Sequence, residues 1–315
     1  MVMSRPTIAD LIQWLDEPLA DALGEGYGQL EISLLSQGTT VADGTTVLLL
    51  RDTGGHPHAV VLCSAPISPD MVQRAMNRAH QAKVILGASA GAPILDPLVQ
   101  GSVRGLSYAV LPYCSKLSGS RPVWWIQREF LRTSIFDWLW RATACTVRDV
   151  EPAAIDRSFG KPLQYMASLK PISDRLRAAA SLAAERLDVG TWMPRYVLMH
   201  GDLWKGNILI RSQGRDFQWL KLADRFVIID WAGSEIYGYA IYDLVRLSES
   251  IRLNARTLRR EVDRHCRLLR CEPADATSYL LAALGHIAMN LDHFPIDRYA
   301  HMAESCYSTL VNTLK

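Results

Sequence analysis

His200-Gly201-Asp202-Leu203-Trp204-Lys205-Gly206-Asn207 stands between two apolar runs, Tyr196-Val197-Leu198-Met199 and Ile208-Leu209-Ile210. The flanking runs have the length and character of buried strands, so the residues between them read as a connecting loop. Further on, Val227-Ile228-Ile229 forms another strand-like run that ends in Asp230-Trp231. Taken singly, these polar residues are ordinary: a structural histidine, a turn glycine, an aspartate that caps a helix. In this order they set a carboxylate on a loop, an amide five residues later, and a second carboxylate at a strand end.

Such a set suits phosphoryl transfer. Its transition state is mostly spread negative charge, so positioning and cations do most of the catalysis. One acid accepts the hydroxyl proton, and the amide and the later acid hold metal. His200 to Asn207 resembles the H-G-D-x-x-x-x-N loop of the aminoglycoside phosphotransferase and choline kinase superfamily, which also includes fructosamine, homoserine and methylthioribose kinases. Gly201 stands where eukaryotic protein kinases usually carry Arg, which points to the small-molecule branch. Ile229-Asp230-Trp231 resembles that branch's I-D-W, placed where protein kinases have D-F-G. Gly238-Tyr239-Ala240-Ile241-Tyr242-Asp243-Leu244 resembles its G-[DN]-P-x-x-D-L segment, with Tyr239 and Ala240 replacing the usual acid and proline. The motif match covers residues 200–247; upstream the likeness rests on order and pattern.

The resemblance implies an α+β, two-lobed protein-kinase-like fold. A small lobe (1–115) would hold a five-stranded antiparallel sheet with one helix, beside a larger, mainly helical lobe (116–315). It implies Mg²⁺, with ATP or GTP as co-substrate. Asp202 would be the catalytic base, His200 its brace, Asn207 and Asp230 the metal ligands, and Asp243 a support for the loop.

Composition agrees. A length of 315 residues exceeds one typical domain. At 49% hydrophobic and 21% charged residues the chain can fill a large core and is not a disordered segment. A net charge of +2 gives no reason to expect a nucleic-acid partner. Six cysteines without a C-x-x-C pair read as reduced, mostly core-filling thiols. No signal-peptide pattern opens the chain and no 18-residue apolar run occurs, so a cytoplasmic protein with no membrane partner is expected.

Apolar spacing predicts a helix over 7–23 with Thr7 as cap, then a glycine linker at 24–28. Strands follow at 30–36, 46–51 and 58–64, with a hairpin turn at Asp52-Thr53-Gly54-Gly55. The stretch between the first two strands, with Gly38 and Gly44, is either a nucleotide-covering loop or simply a long hairpin. Ser68-Pro69 should start a helix running to Gly87, in the place of the kinase αC helix. Strands near 100–104 and 106–113 would lead to a hinge at Pro112-Tyr113-Cys114, where the backbone of Tyr113 would meet the adenine edge. Helices are expected at 124–141, 173–188, 240–253, 257–270, 275–291 and 299–313.

One departure matters. Kinases supply a lysine from the third strand to hold the α- and β-phosphates, paired to a glutamate on αC. Here that strand reads His58-Ala59-Val60-Val61-Leu62-Cys63-Ser64 and has neither lysine nor arginine. The αC candidate carries Arg74 and Arg78 in place of a glutamate. Arg74 is therefore the first candidate for the phosphate cation, with Arg78, Arg51 and Lys205 behind it. The bare strand also motivates an alternative, a pseudokinase serving as a binding module. For the acceptor, the family implies a small amine-bearing alcohol such as an aminoglycoside, amino sugar or amino alcohol, with Glu235 and Asp292 as candidate partners. Nine tryptophans suggest an aromatic cage, but Trp124, Trp125, Trp138 and Trp140 fall at helical spacing and read as core.

Overall fold

Thr7 opens the first helix in the computed structural model, which describes residues 6–38, 45–211, 225–291 and 294–315. Its hydroxyl accepts the Asp10 N–H, and the Asp10 carboxylate accepts the Thr7 N–H, closing a reciprocal cap. Helix α1 (Ile8–Leu23) runs into a 3₁₀ turn, Gly24–Gln29, where the sequence suggested a bare linker. Strands β1 (Glu31–Gln37), β2 (Thr46–Arg51) and β3 (Pro57–Cys63) form a meander. After helix α2 (Met71–Ala90), strands β4 (Val99–Val103) and β5 (Leu106–Pro112) complete a five-stranded antiparallel sheet in the order β1-β2-β3-β5-β4. The period-two pattern sends Leu48, Leu50, Ala59, Val61, Cys63 and Val110 to one face. There they bury Leu11, Leu15 and Leu19 of α1 in a single apolar core.

Helix α2 begins at Met71 after Asp70, two residues later than Ser68-Pro69 suggested. The sheet supplies the reason. Ser64, just past β3, accepts the Val72 N–H at 2.9 Å, and Ser107 on β5 accepts the Gln73 N–H at 3.2 Å while donating to the Pro69 carbonyl at 2.9 Å. The helix thus takes its N-terminal caps from strands, and this pins it to the sheet. Gly87, at φ 70°, interrupts its last turn.

The remaining elements are β6 (Cys114–Lys116), α3 (Arg121–Thr146), β7 (Arg148–Asp149), α4 (Pro152–Ile155), α5 (Lys161–Ser168), α6 (Asp174–Asp188), β8 (Arg195–Met199), β9 (Ile208–Arg211), β10 (Phe226–Ile228), β11 (Glu235–Tyr239), α7 (Tyr242–Ser250), α8 (Ala255–Leu269), α9 (Pro273–Met289) and α10 (Ile296–Leu314). Two three-stranded sheets, β10-β9-β6 and β11-β8-β7, sit among these helices. A second apolar core joins them, and it also takes Ala79, Ala82, Leu86 and Ala90 from α2. One helix therefore serves both parts of the molecule: its N-terminus is tied to the five-stranded sheet and its flank is buried with the helical part.

Each helix read from the sequence forms, with ends displaced by a few residues. Of the four tryptophans expected in the core only Trp138 is buried; Trp124 and Trp140 are partly buried, and Trp125 is 60% exposed. All six cysteines are free; Cys63, Cys114, Cys266 and Cys306 fill core, whereas Cys145 is exposed. Among the described residues no helix is long and apolar enough to cross a membrane.

Helix α9 packs tightly on α5 at Gly285. A Cβ built on Gly285 would run into the Pro162 carbonyl, which is backbone and cannot swing away. Gly285→Val should therefore lower unfolding free energy by about 3 kcal/mol through overpacking. A shift of the urea midpoint reads this, and a midpoint equal to wild type would contradict the close approach.

Candidate active site

Strand β8 ends at Met199 and delivers His200, Gly201 and Asp202 onto a loop whose backbone is held from below. Asp243, in the first turn of α7, accepts the His200 N–H at 2.6 Å with Oδ2 and the Gly201 N–H at 3.1 Å with Oδ1. Burial pushes its carboxyl up to about 7, against the pull of those N–H donors. Gly201 has φ +85°, and a Cβ there would lie 2.5 Å from the Gly233 carbonyl oxygen. Only glycine permits this turn.

The His200 ring is buried and joins the two motifs. Its Nδ1 accepts the Asp202 N–H at 3.3 Å, which leaves the ring proton on Nε2 to donate to the Ile229 carbonyl at 3.0 Å. Burial pushes its pKa down to about 4, so the ring is neutral at physiological pH. Trp231 packs edge-on against it, with ring centres 4.6 Å apart.

Asn207 donates from Nδ2 to the Asp202 carbonyl at 2.9 Å and to Asp202 Oδ2 at 3.2 Å. Its own carbonyl accepts the Ile229 N–H at 3.0 Å. Asp230 follows in the left-handed region, at φ 66° and ψ 60°, and turns the strand end into a 3₁₀ turn over Trp231–Gly233. A non-glycine residue held there costs about 1 kcal/mol or more, a strain that tends to collect at functional sites. The structure thus brings His200, Asp202, Asn207 and Asp230 together through hydrogen bonds between two loops.

The donor chemistry suits Mg²⁺. Asp230 offers carboxylate oxygen, and with its NH₂ committed to Asp202 the Asn207 amide presents Oδ1, a hard donor. No group of three or more His, Cys, Asp or Glu side chains among the described residues could hold a metal alone.

A residue that sequence reading missed stands beside the candidate base. Arg246 on α7 pairs with Asp202 at 3.4 Å and with Glu249 at 3.9 Å. Burial raises the pKa of Asp202, while Arg246, Asn207 and Trp204 pull it back. Arg246 lies one helical turn after Asp243, so a helix starting there puts both on one side.

Other expected residues are placed as follows. Arg74 meets Asp70 at 3.4 Å and Ser68 at 3.0 Å, partners just before its own helix, with its side chain 62% exposed. Arg78 instead reaches the segment after Asp230, donating to the carbonyls of Ala232 at 2.9 Å and Ser234 at 2.8 Å and pairing with Glu235 at 3.4 Å. Arg51 is turned to the β2–β3 hairpin, at the Gly55 carbonyl. The Lys205 ammonium lies over the Trp124 ring at 5.7 Å. Tyr113 falls between β5 and β6, where the chain passes from one sheet to another, and its N–H is used by the His58 carbonyl. Gly38 donates to the Thr45 carbonyl. Gly44 and Asp292 lie outside the described residues.

No family profile matches the chain, and no curated protein matches it in sequence. Solved structures do. An ethanolamine kinase of Plasmodium vivax aligns over 97% of this chain and 90% of its own, with TM-score 0.54 and 11% identity. The choline kinase LicA of Streptococcus pneumoniae aligns over 96% and 98%, at 0.53 and 12%. The fold is the kinase-like fold that these solved structures share. A thermostable mutant of the aminoglycoside phosphotransferase APH(4)-Ia, solved with AMP-PNP and hygromycin B, shares this kinase-like fold at TM-score 0.51 over 93% of this chain and 97% of its own, with 14% identity.

Asp243 gives a sharp test of the loop's support. Both its oxygens accept backbone N–H groups, so in Asp243→Asn the amide NH₂ must face a donor whichever way it is turned. The variant should lose about 2–3 kcal/mol of stability, measured by urea denaturation. Wild-type stability would mean that the carboxylate does not hold both N–H groups.

Proposed function

We propose that the protein is a Mg²⁺-dependent small-molecule kinase that moves the γ-phosphoryl group of ATP or GTP to a hydroxyl of an amine-bearing acceptor. One observation carries this reading: Asp202 and Asn207 share a hydrogen bond on a loop that His200 ties to the strand ending in Asp230. The acceptor hydroxyl oxygen attacks the γ-phosphorus, the bond to the β-phosphate oxygen breaks, and the nucleoside diphosphate leaves. The hydroxyl proton passes to Asp202. Its half-buried carboxylate can still be met by an incoming hydroxyl, and Arg246 orients it and opposes the upward push of burial on its pKa. Magnesium, when bound with the nucleotide at Asn207 and Asp230, supplies charge neutralisation on the phosphates.

In this reading residues 1–115 are the nucleotide-covering lobe and 116–315 the lobe carrying the loop, the metal residues and the acceptor site. The phosphate cation remains to be supplied from outside β3. Arg78 is the better candidate than Arg74, because it already contacts the segment that follows Asp230. Glu235 is shared with Arg78, so an acceptor amine there would compete with or join an existing ion pair.

A pseudokinase is the second reading, favoured by the absence of lysine and arginine from β3. Turnover separates the two. In a phosphoryl-transfer screen over amine-bearing alcohols and sugars with MgATP and MgGTP, at least one acceptor should be phosphorylated. Asp202→Asn should then slow turnover by about a hundredfold or more while nucleotide affinity stays close to wild type. Wild-type turnover by Asp202→Asn on a confirmed acceptor would remove Asp202 as the base.

A further inference from the structure

A cleft of about 680 Å³ opens where the residues after α2 meet α3, α8 and the ends of β9 and β10. None of the candidate active-site residues lines it. Four guanidinium groups do, from Arg141, Arg211, Arg225 and Arg264, together with Trp140 and one carboxylate, that of Asp137. Arg264 is already committed. It pairs with Asp137 at 2.6 Å and Glu261 at 3.8 Å, and its guanidinium lies 4.4 Å from the centre of the Trp140 ring.

The other three are held through backbone carbonyls. Arg211 donates to Ala92 at 2.7 Å, Arg225 to Arg211 at 2.5 Å, and Arg141 to Asp137 at 3.4 Å. These carbonyl contacts orient the guanidinium groups without neutralising them. The Nε of Arg225 is buried and has no hydrogen-bond partner among the described residues. The hydroxyls of Ser89 and Ser134 add further donors to the wall.

We propose that this cleft binds a small, multiply charged oxyanion of the phosphate-ester class. The volume lies within the range of small-molecule sites. Three guanidinium groups that pair with no carboxylate among the described residues, set on a concave wall, match the tetrahedral oxygens of phosphate better than a singly charged carboxylate. The floor of the cleft is also tied to the candidate active site. The Pro93 carbonyl accepts the Ile228 N–H at 2.9 Å, and Ile94 bridges to Ile228, two residues before Asp230. An occupant therefore rests on the backbone that holds the strand ending in Asp230. This site does not depend on the kinase reading.

Calorimetric titration of inorganic pyrophosphate into the full chain tests it, with EDTA present so that no metal can bridge the anion to Asn207 and Asp230. One saturable site is expected in the wild type. Arg141→Gln and Arg225→Gln should each weaken it about tenfold or more, and Asp230→Ala should leave it unchanged. Arg225 supports the Arg211 carbonyl and its loss could disturb the fold. Arg141→Gln touches only its own helix, and an unchanged melting temperature certifies it. No saturable binding by the wild type would overturn the proposal. So would binding that survives Arg141→Gln and disappears in Asp230→Ala, because the anion would then sit in the candidate active site.

Discussion

The neutral imidazole of His200 accepts the Asp202 N–H on one ring nitrogen and donates to the Ile229 carbonyl from the other, so two segments 29 residues apart in sequence share one rigid side chain. Protonation would put a second donor where an acceptor is needed. Burial prevents this by holding the pKa near 4, at an energetic cost of about 3 kcal/mol for the charged ring relative to water. The remaining geometry follows from that bridge. Asn207 grips Asp202 with its side chain and Ile229 with its backbone, while Asp243 takes the N–H groups of the residues just before Asp202. Each strut is short and directional, which is how a preorganised site avoids rearranging during reaction.

The basic residues show a different solution from that of the usual kinase small lobe. A lysine on β3 paired to a glutamate on αC normally couples the sheet to the helix. Here Ser64 and Ser107 cap α2 directly, and the sheet needs no ion pair to hold it. The α2 helix then extends Arg78 to the carbonyls that follow Asp230. The link between α2 and the segment after Asp230 is one guanidinium nitrogen, Nη1 of Arg78, on two backbone oxygens beside its ion pair with Glu235.

How much of this could be read from the sequence depends on the range over which each feature is determined. His200 to Asn207 and Ile229-Asp230 were legible because unusual polar residues recur at fixed spacing between strand-like runs. The five strands and the long helices were legible from their periods. Arg74 and Arg78 were not separable, since positions four apart share a helix face and only the packing of α2 decides which one reaches inward. Arg246 lies in the helix expected at 240–253, but its pairing with Asp202 is a contact across 44 residues that helical spacing does not show. Strands β6 and β7, of three and two residues, are too short to show a period. The start of α2 was misread because its caps come from Ser64 and from Ser107, which lies on another strand.

The central claim is that the bridged pair of loops forms a metal-dependent nucleotide site. Thermal stability measured with ATP or GTP, with and without Mg²⁺, tests it most directly, with Asp230→Ala as the control. Binding to the native state at a hundredfold excess over Kd stabilises by about 2.7 kcal/mol. A rise in melting temperature is expected for the wild type only when nucleotide and Mg²⁺ are both present, and none for Asp230→Ala. A nucleotide response that is the same with and without Mg²⁺, or that persists in Asp230→Ala, would contradict the account.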